Sequence, residues 1–160
     1  MRKIFFLGLL MSLFFACKST TPVANTKLDR PSQVMVKGNW KITNVTYPGS
    51  DYIKVNSFDI ADSKCFIGSQ WNFISNNNKG SMTLNSSSCP AFTSPIVWSI
   101  NKDGIFVLKI VEPGVKSKNV TQGYLLKVAN QSETSFQLID AINVGGQNKD
   151  VVYQFEKLNN

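Results

Sequence analysis

The sequence predicts an all-β domain, an eight-stranded antiparallel up-and-down barrel with one short helical turn in its first long loop. Three observations carry that expectation. Between Lys37 and Leu158 apolar and polar residues alternate in eight short runs. Most runs are joined by turn chemistry rich in Asn, Asp and Gly. No stretch of useful length repeats its apolar residues at the helical period. A chain of 160 residues suits one domain with a real core. Successive antiparallel strands remove their exposed edges by closing on themselves, which favours a barrel. A sandwich of similar length is the alternative. The last seven runs show no long crossover connection, and that favours the meander.

The first run is Lys37 to Tyr47, followed by a long connection through Pro48-Gly49 and Ile60 to Phe66. There Asp62 or Ser63 is placed to cap a single helical turn. Gln70 to Ser75 alternates, Asn76 to Gly80 supplies residues that tolerate positive φ, and Gly80 to Asn85 alternates back. Pro95 to Asn101 leads through Lys102-Asp103-Gly104 into Ile105 to Val111. Gly123 to Ala129, Thr134 to Ile142 and Asp150 to Leu158 complete the set, with Gly145-Gly146 marking the last turn. The alternation puts Trp40, Ile42, Trp71, Phe73, Met82, Leu84, Ile96, Trp98 and Ile100 on an inner face. Phe106, Leu108, Ile110, Tyr124, Leu126, Val128, Phe136, Leu138, Val151, Tyr153 and Phe155 extend it. Asp140 shares parity with Leu138, which makes it the one candidate for a buried acid.

Composition narrows the chemistry. Seventeen basic residues against ten acidic ones give a net charge of +7, and there is no histidine. The missing imidazole excludes Ser–His and Cys–His nucleophilic sites and removes the commonest metal ligand. The carboxylates are scattered, so no catalytic residue, metal or cofactor is expected, and the chain reads as a non-enzyme. The lysines spread over turns and strand faces, with Lys116 and Lys118 in one basic loop. A nucleic-acid partner would want a concentrated stripe with exposed aromatics. None is expected here.

Arg2 and Lys3 precede an almost wholly apolar stretch, Ile4 to Ala16, ending at Phe14-Phe15-Ala16-Cys17. A charged start, a short apolar core and a small residue before the cut describe a secretory signal, and the stretch is too short to span a bilayer. Its end resembles the lipobox of bacterial lipoproteins. That resemblance implies cleavage after residue 16, lipidation of Cys17, and membrane attachment by several acyl chains. Residues 1–16 are then the signal, 17–35 a polar, flexible, lipid-anchored tether, and 36–160 the domain. No acidic cluster follows Cys17. By comparison with surface-exported lipoproteins this implies the outer membrane with the domain facing the periplasm. With Cys17 lipidated, Cys65 and Cys89 are the remaining thiols in an oxidising compartment, where one disulfide is expected. A thiol redox pair is the alternative, without the usual CxxC spacing.

Gly38-Asn39-Trp40 on the first run resembles the GxW motif of lipocalins. Asp62 to Phe66, Gly68 to Phe73, Cys89 and Trp98 look like the lipocalin-like lipoproteins of Bacteroidetes. The resemblance covers roughly residues 36 to 158. It implies that Gly38 permits a bend near the barrel floor and that Trp40 closes that end. The family's TDY-like motif is replaced by Asn130 to Glu133, and Lys157 stands in for the arginine that many lipocalins place over the tryptophan.

An eight-stranded barrel either holds a small ligand or is filled by its own side chains. The expected binding residues, inside the barrel, are Trp71, Phe73, Trp98, Phe106, Leu108, Phe136 and Tyr153. The function implied is passive binding of a small apolar or amphipathic molecule in the cell envelope. The alternative is an envelope interaction module that takes a protein or glycan on its loops.

Overall fold

The computed structural model describes residues 25–50, 54–112 and 114–159. The expected signal (1–16) and the expected lipid anchor Cys17 lie outside them. A helix α1 (Arg30–Val36) precedes β1 (Gly38–Thr46), and a small ribbon follows, β2 (Asn56–Ser57) and β3 (Ala61–Asp62). Then come β4 (Gln70–Ile74), β5 (Lys79–Leu84), β6 (Phe92–Ile100) and β7 (Ile105–Ile110). The last three are β8 (Tyr124–Ala129), β9 (Ser135–Val144) and β10 (Gln147–Lys157). Eight strands close a barrel in the order β1-β10-β9-β8-β7-β6-β5-β4, with β4 pairing back onto β1. Every pairing is antiparallel. The expected meander is the fold.

Local chemistry accounts for the turns. Gly145 and Gly146 both have positive φ, so they alone join β9 to β10. Those strands therefore reach Val144 and begin at Gln147, further than their alternation suggested. The Asn101 side chain accepts from the backbone N–H of Asp103 and of Ile105, fixing the β6–β7 turn before Gly104. Ser63–Phe66 forms the expected helical turn as a short 3-10 helix, with the Asp62 carboxylate accepting from Lys64 N–H at 2.9 Å.

The expected tether (17–35) needs correction from residue 25 onward. Leu28 bridges to Asn101, and Asp29 N–H donates to the Ile100 carbonyl at 2.8 Å. Pro near the start of α1 pre-sets the helical φ. Gln131 Nε2 donates to the Ser32 carbonyl at 2.8 Å, tying the helix to the β8–β9 loop. Val36 is buried beneath it. Seven residues are too few for a helical period to show in the sequence, and contacts with the barrel hold the turn instead.

The inner-face assignment holds almost throughout. Ile110, Tyr124 and Val128 are partly buried against the core, and the other seventeen of the twenty expected residues are buried.

Candidate binding cleft at the barrel mouth

The two ends of the barrel differ. At the floor, Trp40 is fully buried and its Nε1 donates to the Val36 carbonyl at 2.7 Å. Phe136 meets its ring edge-on at 4.7 Å, and Lys157 Nζ lies 5.4 Å from the ring centroid, a cation–π contact. Gly38 has φ +125°, a conformation that side chains rarely adopt. The GxW residues thus close this end together with α1.

The seven residues expected to bind ligand are all inside the barrel, but they touch one another. Trp98 stacks on Phe106 at 5.6 Å and Phe136 on Phe155 at 4.5 Å, while Phe73 contacts Trp71, Trp98, Phe106, Phe136 and Phe155. Trp71, Phe73, Trp98, Phe106, Leu108, Phe136 and Tyr153 are each at most 3% exposed. An eight-stranded barrel has room for one small ligand or for its own side chains, and here these large rings pack against one another in the lumen. They are core.

Open space lies above them, at the mouth. A half-open cleft of about 510 Å³ is walled by the β2–β3 tip, the strand ends at Phe92, Ile110 and Tyr124, and the 112–122 loop. None of the seven lines it. The β2–β3 tip contributes Phe58, Asp59 and Ile60 to the lining. Ile60 N–H donates to the Ser57 carbonyl at 3.0 Å, so Phe58 and Asp59 are the central residues of a tight turn, with φ of +54° and +55°. Positive φ costs a residue with a Cβ about 1–2 kcal/mol, and packing offsets that here. The Phe58 ring contacts Phe66, Trp71, Tyr124 and Tyr153 with centroids 5.1–6.4 Å away. The Asp59 carboxylate accepts from Gln122 Nε2 at 2.5 Å and from the Tyr124 hydroxyl at 3.2 Å, latching the tip to the opposite rim. Cys65 and Cys89 form the expected disulfide. It fixes the 3-10 turn to the segment that delivers Pro90 and Phe92 to the cleft.

Burial, and then the Asp59 charge and hydrogen bond with a further contribution from Asp140, push the Tyr124 hydroxyl up to about 12. Burial alone raises the Asp140 carboxyl above the ordinary carboxylate range, in keeping with its inward parity. Burial also raises the Tyr153 hydroxyl, against the lowering effect of its hydrogen bond with Ser57. Apolar walls, aromatic faces and a few polar groups at one opening are the make-up of a small-molecule site. Phe58, Asp59, Phe92 and Glu112 were absent from the expected site. A two-residue ribbon with no Asn or Gly at its turn leaves no pattern to read, and an aromatic in a polar loop is its one trace.

A family profile described as "Lipocalin-like domain" matches residues 36–138. The chain belongs to the lipocalin-like domain family. Among solved structures it is similar to a lipocalin-like protein from Bacteroides uniformis, at 17% identity and TM-score 0.48, covering 78% of this chain and 99% of that one. An uncharacterised protein from Bacteroides eggerthii shows 16% identity and TM-score 0.45, covering 76% and 98%. Bovine odorant-binding protein, in complex with a selenium-containing odorant, shows 14% identity and TM-score 0.46, covering 79% and 73%. A search of curated proteins found no match. The family and the fold agree with the lipocalin resemblance of Gly38-Asn39-Trp40.

Proposed function

We propose that this protein is an envelope lipoprotein whose barrel binds a small apolar or amphipathic molecule at its mouth, without transforming it. The cleft of about 510 Å³ walled by Phe58, Ile60, Phe92, Ile110, Val115 and Tyr124 carries the reading. Its size falls within the range of small-molecule sites, and burying a ligand's apolar surface there contributes about 25 cal/mol per Å². Ligand enters the mouth rather than the lumen, which the aromatic core already fills. The lipobox-like stretch before Cys17 supports attachment through that residue, and the lack of an acidic cluster after it supports an outer-membrane anchor facing the periplasm.

Two experiments test this. Titration of the protein with short-chain alcohols and amphiphiles, followed by tryptophan emission, should show saturable binding, because Phe58 couples the cleft to Trp71 at 6.4 Å. Ile110→Trp fills the cleft and should abolish the response; equal binding by this variant would overturn the assignment. Metabolic labelling with palmitate should mark the parent chain and not Cys17→Ala. Equal labelling of both would remove the anchor.

A further inference from the structure

The charge of the ligand is legible at the same cleft, and the inference rests on the cleft being the binding site. Its lining includes two carboxylates, Asp59 and Glu112, and no Lys or Arg among the described residues. This is unexpected in a chain with seventeen basic and ten acidic side chains. Lys116 and Lys118 belong to the 112–122 loop but do not line the cleft. Lys109 donates its ammonium to the Val120 carbonyl at 3.0 Å. Glu112 is exposed; its backbone carbonyl accepts from Val115 N–H at 3.0 Å, while its carboxylate has, among the described residues, neither a hydrogen bond nor an ion pair. Beside the carboxylates stand the rings of Phe58 and Tyr124, 5.1 Å apart and edge-to-face. A third acid, Asp140, lies on the inner face close enough to act on the Tyr124 hydroxyl.

We propose that the occupant is an amphipathic organic cation. Its ammonium is held by the carboxylates of Asp59 and Glu112 beside the aromatic faces of Phe58 and Tyr124, and its tail lies against Phe92, Ile110 and Val115. Carboxylates attract the cation, and aromatic faces add a cation–π contribution that grows as water is excluded. An anionic amphiphile meets the same two carboxylates as like charges. A neutral one gains only the apolar burial.

Octylammonium, octanol and octanoate have matched tails and differ in head group. Calorimetric titration of the full chain with each, below its aggregation threshold, separates charge from apolar burial. Octylammonium should bind roughly tenfold tighter than octanol, the equivalent of about 1.4 kcal/mol, and octanoate weakest of the three. The gap should narrow at high salt. Asp59→Asn keeps a side-chain oxygen to accept from Gln122 and Tyr124, so it removes charge while preserving the latch. In Asp59→Asn combined with Glu112→Gln, the ratio of octylammonium to octanol affinity should fall to about one. Octanoate binding as tightly as octylammonium, or a ratio unmoved in the double variant, overturns the proposal while leaving the cleft as a binding site. Failure of all three to bind rejects the cleft itself.

Discussion

Gly80 faces Phe73 across the β4–β5 pair, and a Cβ there would stand 2.0 Å from the Asn72 carbonyl oxygen. No side-chain rotation relieves a clash with backbone. Gly80→Ala should therefore lower stability by about 3 kcal/mol or more, read as a shifted denaturant midpoint; a loss under about 1 kcal/mol, the ordinary cost of a point mutation, would contradict the clash. Asp140 offers a prediction in pH. Its carboxyl titrates above the ordinary range in the folded chain because it is half-buried, so the folded state holds the proton more tightly than the unfolded state. Its contribution to stability is greatest below the ordinary carboxylate pKa and declines as pH rises through the higher folded-state value. Asp140→Asn should melt above the parent at neutral pH, with the difference shrinking in acid. A constant difference across the pH series would disconnect the effect from this proton.

The β2–β3 ribbon is the element on which the cleft depends. Two residues per strand cannot hold a hairpin in water alone, and its turn carries Phe58 and Asp59 at positive φ. Aromatic packing below and the Asp59 latch across the rim supply what the ribbon lacks. Phe58→Ala should free this element locally, since it lies outside the barrel ladder. Amide exchange should quicken in residues 55–62 and remain slow in β9 and β10, with a global loss of about 1–3 kcal/mol, less than the 3–5 typical of removing a core phenylalanine. Uniform acceleration throughout the barrel would show that Phe58 supports the whole barrel and not the ribbon alone. Helix α1 makes the same point at the floor. Its docking came from Gln131 and the β6 end, contacts that no local pattern announces.

At the scale of the molecule, the disulfide joins two segments that the barrel strands do not pair. Removing it by Cys65→Ser with Cys89→Ser should lower stability by about 3 kcal/mol, the chain-entropy value for a loop of this size. It should weaken cleft binding in addition, because Pro90 and Phe92 lose their tie to the 3-10 turn. Retained binding with lowered stability would restrict the bridge to a structural role. The strand count, the order of pairing, the inner face and the partner of Cys65 were all legible from alternation, turn residues and cysteine arithmetic. The candidate site was less so. Trp71, Phe73, Trp98, Phe106, Leu108, Phe136 and Tyr153 were read correctly as inward-facing, yet parity cannot tell a ring that lines a cavity from one that fills it.

What the sequence by itself determined is everything with a period or a fixed spacing: the meander, the buried face and the GxW floor. These follow from local rules, the pleat of a strand and the turns that reverse it, which act between near neighbours in the chain. Only the tertiary structure decided where free volume remains. That depends on the summed size of rings contributed by distant strands and on Phe58 reaching the mouth from a loop. Asp59 meets Tyr124 across 65 positions of sequence. Free space in a protein is a property of packing, and packing is not periodic.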